Sequence, residues 1–183
     1  MPEGLVIKHC SPTLAGIKTA NLFSCVYKNK NEVKRTISFL NKQLKSKGIR
    51  VIPMRFSKTR VLIYMYRPDR LKSDLSLEGT QKLLKANGYE EVDYAHALKL
   101  LHKKLQSFED FPHEIGLFLG YPPEDVRGFI TNHALNYKFI GYWKVYGDEE
   151  KARKTFSQYK NCTNSYLNQW KKGKSITDLA VAV

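Results

Sequence analysis

The stretch Phe111-Pro-His-Glu-Ile-Gly-Leu-Phe-Leu-Gly-Tyr-Pro-Pro-Glu-Asp-Val126 joins a His–Glu pair, an apolar row, a Gly-Tyr-Pro turn and an acidic helix start. We expect the rest of the chain to be organised around it. The apolar row between Glu114 and Tyr121 is bounded by prolines, which is typical of a short buried strand. Pro122 and Pro123 then open a helix with an acidic first turn, because proline suits the first helical position and carboxylates favour the positive helix end.

His113 lies at the start of this predicted strand, directly before Glu114. Neighbours in a strand point to opposite faces, so the two side chains are not expected to hydrogen-bond each other. His113 is either a partly buried structural residue or an acid–base or ligand residue at a strand end. We therefore treat His113 and Glu114 as candidate site residues.

The N-terminal segment offers a candidate nucleophile. We predict a short strand at Leu5–Ile7, then Cys10, then a helix that begins with Ser11 and Pro12 and runs to about Phe23. A thiol immediately before a helix N-terminus is favoured as a thiolate by the backbone N–H groups and the helix dipole. Cys10 is therefore the expected nucleophile or soft ligand.

His9 or His113 would act as the base for Cys10 in a thiol-dependent enzyme. The same three residues could instead hold a metal or a haem, so haem or iron is a candidate cofactor. Cys25 and Cys162 lack a comparable setting. Three well-separated cysteines argue against a disulfide framework. The sequence also lacks the CxxC spacing that would indicate a structural zinc site.

Further candidates would bind a ligand. Tyr142 and Trp143, in the predicted aromatic strand 137–146, could stack on a planar ligand or bases, or could be core. Arg67 ends a predicted strand and could bind a carboxylate or phosphate, or pair with an acid of the chain. Lys18, Tyr121 and Lys144 complete the ligand-binding set.

The remaining pattern predicts an α/β fold, with α+β as the alternative: a mixed four- to five-stranded sheet with a β-hairpin, covered by helices. We predict a helix from Asn31 to Gly48, a hairpin over 49–67, helices over 76–87 and 92–105, and a helix after Asp148. Residues 1–183 are expected to form one domain, with 163–183 as a C-terminal helix and loose tail.

The net charge of +14 is uneven along the chain. Residues 1–68 carry a net +12, residues 69–150 a net −4 and residues 151–183 a net +6. Such asymmetry permits binding to a nucleic acid or another polyanion, although solvated helix faces of a lysine-rich protein are the favoured explanation. The basic residues that a polyanion would contact are Lys34, Arg35, Lys42, Arg50, Arg55, Arg60 and Arg67.

No apolar run of membrane-spanning length and no signal peptide is expected, so we predict a cytoplasmic protein. The favoured function is a Cys/His site at strand ends, in a thiol-dependent enzyme or a redox, haem or metal-binding protein with a small-molecule or redox partner. The alternative is a nucleic-acid or polyanion-binding protein that uses the basic N-terminal third.

Three blocks resemble a family of uncharacterised bacterial proteins, a domain of unknown function. They are His9-Cys-Ser-Pro-Thr-Leu-Ala-Gly-Ile-Lys-Thr-Ala-Asn-Leu-Phe23, Phe111-Pro-His-Glu-Ile-Gly-Leu-Phe-Leu-Gly-Tyr-Pro122 with Asp125-Val-Arg-Gly-Phe129, and Gly141-Tyr-Trp-Lys-Val-Tyr-Gly147. The resemblance implies no established activity. Its association with flavodoxin and iron-uptake genes implies a slight preference for redox or iron chemistry.

Overall fold

The computed structural model describes residues 3–90, 93–107 and 111–182 and shows an α+β fold. Its helices are α1 (Glu3–Leu14), α2 (Lys30–Leu44), α3 (Pro68–Ser76), α4 (Glu78–Ala86), α5 (Tyr94–Gln106), α6 (Ile115–Phe118), α7 (Pro123–Thr131), α8 (Glu149–Lys171) and α9 (Ile176–Leu179). Its strands are β1 (Ala20–Val26), β2 (Arg50–Phe56), β3 (Arg60–Tyr66), β4 (Phe139–Ile140) and β5 (Lys144–Val145). Within the described ranges, none of the helices has both the length and the apolar character needed to cross a bilayer.

The chain divides into two compact units. The sheet unit comprises residues 1–69 and 159–183, and the central unit comprises residues 70–158. Helix α8 is divided between them at Tyr159. That residues 1–183 fold as one domain stays a prediction.

The sheet unit is built on a three-stranded antiparallel sheet with the order β1-β3-β2. The predicted hairpin is confirmed as β2–β3, and β3 is the central strand, with Ile63 opposite Phe23 of β1 and Pro53 of β2. The prediction of one mixed sheet of four to five strands is wrong, because β4 and β5 pair only with each other in the central unit.

Helix α1 replaces the predicted strand at Leu5–Ile7. Val6, Ile7, Cys10 and Leu14 recur at helical spacing and are buried in the core of the sheet unit. Ser11, predicted as an N-cap, lies inside α1, and its hydroxyl donates to the Ile7 carbonyl one turn earlier. The helix predicted from Ser11 to about Phe23 is wrong, because α1 ends at Leu14 and the strand β1 begins at Ala20.

The apolar row of the opening stretch is also not a strand. Ile115, Gly116, Leu117 and Phe118 form the single helical turn α6 and are all buried. A short row that is buried on every side carries no periodicity, so a strand and a helical turn cannot be told apart from sequence. Gly120 then adopts a φ of 73°, which glycine reaches without steric cost, and turns the chain towards α7.

The aromatic segment 137–146 forms a short hairpin, β4–β5, in place of the single predicted strand. The predicted helix after Pro122 is confirmed as α7, and the helix over 92–105 is confirmed as α5. The C-terminal tail is docked rather than loose, since Ile176 and Leu179 of α9 are buried in the core of the sheet unit.

Helix α2 matches its predicted pattern. Its apolar stripe, Val33, Ile37, Leu40 and Leu44, is buried, and Gly48 ends the following 3₁₀ turn with a φ of 68°. The helix begins at Lys30, one residue before the predicted start, and its N-cap is Asn29, whose side chain accepts a hydrogen bond from the Asn31 N–H.

Arg67 is a structural residue of the sheet unit. Its side chain is 2% exposed, and its guanidinium donates to the carbonyls of Thr13, Leu14, Lys47 and Val181 at 2.7–2.9 Å. Two of these carbonyls lie at the C-terminal end of α1, where helix carbonyls have no intrahelical partner. The predicted ligand-binding role of Arg67 therefore has no support from its burial or its partners.

Lys18 is likewise buried, at 3% exposure, and its Nζ donates to the Ala20 carbonyl at 2.6 Å. Burial lowers the pKa of Lys18 to about 7, an effect that the nearby Cys10 partly opposes. Burial in the core also removes Lys18 from contact with a dissolved ligand.

Lys18 gives the free energy of unfolding a specific pH dependence. Between pH 7 and the ordinary lysine pKa of 10.5, the unfolded chain binds a proton that the folded chain lacks. Stability therefore rises with pH, by at most about 1.4 kcal/mol per pH unit for one proton. Above pH 9 the buried Cys10 acts in the opposite sense, because burial raises the pKa of its thiol above the ordinary 9.0.

We expect the free energy of unfolding, measured in urea, to rise between pH 7 and 9 in the wild type and to rise less steeply in Lys18→Met. The control is Lys8→Met, which removes an exposed lysine from α1 and should leave the slope unchanged. Equal slopes for Lys18→Met and the wild type would show that the Lys18 amine is not perturbed.

Candidate functional site

The central unit contains an open pocket of about 440 Å³. The segment that leads into α6, helix α7 and the β4–β5 hairpin supply its walls. Most of the lining side chains are apolar or aromatic, among them Phe111, Ile115, Val126, Phe129 and Ile140. A concave apolar pocket with a few polar groups is the usual form of a small-molecule site.

Asp125 holds the pocket together. It lies in the first turn of α7 and is 3% exposed. One carboxylate oxygen accepts from the backbone N–H groups of Tyr146 and Gly147, each at 2.7 Å, and the other accepts from Trp143 Nε1 at 2.7 Å. The carboxylate therefore ties the β4–β5 hairpin to α7 and orients the Trp143 indole, because bonds to a charged acceptor are stronger than neutral ones.

Trp143 and Tyr121 form one aromatic wall. Their rings stack at a centroid distance of 4.7 Å, and the Trp143 ring meets Phe156 edge-on at 4.5 Å. Gly141 makes this packing possible, since a Cβ there would lie 2.3 Å from the Phe156 ring. The wall is thus supported by Phe156, and both of its rings line the pocket.

Lys144 supplies a cation at the pocket. Its Nζ donates to the Ala134 carbonyl at 2.8 Å and lies 4.7 Å from the Tyr137 ring centroid and 5.9 Å from that of Phe129. Ala134 has a φ of 64°, a left-handed conformation that is strained for alanine. The bond from Lys144 therefore helps to stabilise an unfavourable loop beside the pocket.

His113 is exposed and lines the same pocket, with its ring edge-on to Phe129 at 5.0 Å. Its neighbour Glu114 is directed elsewhere: the carboxylate is 4% exposed and accepts from Lys104 Nζ at 2.7 Å and from the Tyr89 hydroxyl at 3.1 Å. Burial and then the Glu114 charge raise the pKa of Tyr89 far above its ordinary value. Glu114 is therefore satisfied inside the fold, and the expected separation of His113 from Glu114 is observed.

Cys10 does not have the setting that the sequence predicted. It lies within α1, well after the helix N-terminus, and is fully buried in the core of the sheet unit. Burial raises the pKa of its thiol strongly, although the charge of Lys18 acts in the opposite direction. The conditions that would favour a thiolate are reversed, because desolvation disfavours the charged form.

His9 is also part of the sheet unit and stacks on Phe23 at 5.6 Å. Burial, and then the charge of Lys8, lowers the pKa of His9. Across the described ranges, no group of three or more His, Cys, Asp or Glu side chains is arranged to hold a metal ion. The predicted grouping of Cys10, His9 and His113 around a metal is thus not found.

The structure brings together half of the predicted site residues. Five line the pocket of the central unit: His113, Tyr121, Tyr142, Trp143 and Lys144. Cys10, His9, Lys18 and Arg67 belong to the sheet unit, and Glu114 is buried elsewhere in the central unit.

The sequence did not reveal the role of Asp125. An acid in the first turn of a helix is sufficiently explained by the helix dipole, and the partners of Asp125 lie 18 or more residues further along the chain. Val126 and Phe129 are spaced three residues apart, as on the apolar stripe of a helix, and that spacing does not reveal that they also line a pocket. Only the tertiary contacts identify these residues as part of the site.

We expect the native thiols to react with iodoacetamide in an order set by burial. Cys162 is partly exposed, with a pKa raised to about 11 by burial, whereas Cys25 is 4% and Cys10 0% exposed. At pH 8, peptide mass spectrometry should find Cys162 labelled first and Cys10 last, and in urea all three should react at similar rates. Fastest labelling of Cys10 in the native protein would restore the activated-thiol hypothesis.

Asp125→Ala should destabilise the protein by about 3 kcal/mol, since it leaves the Trp143 N–H and two backbone N–H groups without their acceptor. Glu124→Ala removes the same charge from an exposed position of the same helical turn and should cost less than about 0.5 kcal/mol. Urea unfolding measures both. Equal stability of the two variants would mean that the Asp125 carboxylate does not hold the hairpin.

No curated protein and no solved structure matches the chain at a significant level. A family model, by contrast, covers nearly all of it, in agreement with the resemblance seen in the sequence blocks. Residues 6–180 match the model of a protein family of unknown function, DUF3793, and the chain belongs to that family.

Proposed function

We propose that the central unit binds a planar, largely apolar small molecule that carries an acidic group. The observation that carries the proposal is a single pocket lined by the stacked pair Tyr121 and Trp143 together with the cationic Lys144. Its volume of about 440 Å³ falls within the range of ordinary ligand sites, roughly 300–1,000 Å³.

The aromatic wall favours a planar ligand. A flat ring system can stack on an aromatic side chain over its whole face, and the ring pair of Tyr121 and Trp143 is held rigidly by Phe156 and by the Asp125 carboxylate. A wall that is already ordered loses little side-chain entropy on binding, so more of the contact energy contributes to affinity.

The cation favours an acidic group on that ligand. The Lys144 ammonium has three donors and gives one to the Ala134 carbonyl, so it can still donate to a carboxylate. Asp125, the acid of the pocket wall, accepts three hydrogen bonds from the protein, which offsets its repulsion of an anionic ligand. His113 adds a further polar group at the same pocket.

Of the Cys/His site that the sequence predicts, only His113 lies at this pocket. The burial of Cys10 gives a thiol-dependent reaction no support, whereas His113 remains exposed beside an apolar pocket. Haem belongs to the proposed ligand class, since it is planar and carries two carboxylates, and His113 would offer it an imidazole.

Isothermal titration calorimetry with 2-naphthoate and its neutral analogue 2-naphthamide tests the proposal. We expect one saturable site, with the acid bound about tenfold more tightly than the amide because only the acid forms a charge-assisted bond to Lys144. Lys144→Met should abolish that preference. Lys138→Met is the matched control, because Lys138 is exposed on the same hairpin and donates to the Gly147 carbonyl away from the pocket lining.

Absence of binding by both compounds at millimolar concentration to the folded protein would contradict the proposed pocket. Equal affinity of the wild type for the acid and the amide would contradict only the part of the proposal that gives the ligand an acidic group. Loss of the preference in Lys138→Met as well as in Lys144→Met would show that the two lysines act only through the net charge.

A further inference from the structure

The net positive charge of the chain lies entirely in the sheet unit. Residues 1–69 and 159–183 hold 18 Lys and Arg against four Asp and Glu, a net charge of +14, whereas residues 70–158 hold 13 of each and are neutral. Four carboxylates cannot match 18 cations one to one. A unit with such an excess attracts polyanions. The separation is more complete between the two units than between the consecutive segments 1–68, 69–150 and 151–183.

Helix α2 concentrates part of this charge on one exposed stripe. The helix buries its apolar face, Val33, Ile37, Leu40 and Leu44, in the core of the sheet unit. Arg35, Phe39 and Lys42 follow one another at i, i+4 and i+7 on the solvent side, and all three are exposed. A phenyl ring thus lies one helical turn from a cation on each side.

Phe39 is the unusual member of this stripe. Its side chain is 60% exposed on a helix whose core-facing positions are already filled by aliphatic residues. The ring therefore contributes little to the stability of the sheet unit where it is. An exposed aromatic ring between two cations matches the two chemical features of a nucleotide, a flat base and a phosphate.

Arg35 and Lys42 are seven residues apart, which is about 10 Å along the helix axis. This separation allows contact with the phosphates on either side of a base stacked on Phe39. The exposed Lys30 and Lys45 at the ends of α2 lie about 180° and 120° from Phe39 around the helix, so the binding stripe is limited to Arg35, Phe39 and Lys42.

We propose that the solvent face of α2 binds single-stranded nucleic acid, with a base stacked on Phe39 and the neighbouring phosphates paired with Arg35 and Lys42.

An anionic membrane is a poorer partner, because a membrane-bound helix needs a continuous apolar face and that of α2 is directed into the core. A duplex is also a poorer partner, because neighbouring base pairs cover the base faces that Phe39 would stack on. This proposal concerns the sheet unit alone and does not depend on a ligand in the central unit.

The test is fluorescence anisotropy of a labelled 20-nucleotide oligothymidine, titrated with the full-length protein at several salt concentrations. Phe39→Ala should weaken binding about tenfold, as expected for the loss of one stacked base, and should leave binding of inorganic polyphosphate unchanged. Arg35→Gln with Lys42→Gln should reduce the slope of log affinity against log salt by about 1.4, since each contact to single-stranded phosphate contributes roughly 0.7.

The matched control is the double variant Lys99→Gln with Lys103→Gln. It removes the same charge from an exposed turn of α5 in the central unit, so it should bind the oligothymidine like the wild type. Circular dichroism and thermal melting establish that each variant is folded.

Four results would overturn the proposal. One is wild-type affinity for oligothymidine in folded Phe39→Ala. The second is an equal loss of affinity in the α5 control and the α2 variant. The third is equal or tighter binding to a duplex of the same length. The fourth is binding to phosphatidylserine vesicles without binding to oligothymidine.

Discussion

The candidate pocket depends on one buried carboxylate. Asp125 accepts the indole N–H of Trp143 and two consecutive backbone N–H groups after β5, so a single side chain fixes both the hairpin and the aromatic wall. Without that acceptor, three partly buried donors would lose their partner, which costs free energy because they are incompletely exposed to water. The orientation of the Trp143 indole, and with it the stacked pair that Trp143 forms with Tyr121, therefore depends on the Asp125 carboxylate.

In the sheet unit, a buried positive charge has the corresponding role. The buried guanidinium of Arg67 donates to four backbone carbonyls, two at the end of α1, one in the 3₁₀ turn and one beyond α9. A planar group with five donors can bind several chain segments at once, and the C-terminal tail is one of them. In both units a buried charge is satisfied mainly by the backbone, so its partners cannot be recognised from their side chains.

The two proposed functions divide along the two units. The neutral central unit holds an open pocket lined by aromatic rings and a cation, which suits a small acidic molecule. The sheet unit carries the whole net charge and an exposed phenyl ring between cations, which suits a strand of nucleic acid. Each proposed activity can be measured without the other.

Local sequence patterns were enough to predict the elements that are long and apolar on one side: α2, the β2–β3 hairpin, α5 and the proline-led start of α7. They also indicated the family and five of the residues that line the pocket. The helical conformation of Leu5–Ile7 and of the row after Glu114 could not be predicted, because residues buried on all sides show no periodicity. Only the tertiary structure decided the roles of Arg67, Asp125 and Cys10, because the charge and burial of a side chain are set by residues far away in the chain.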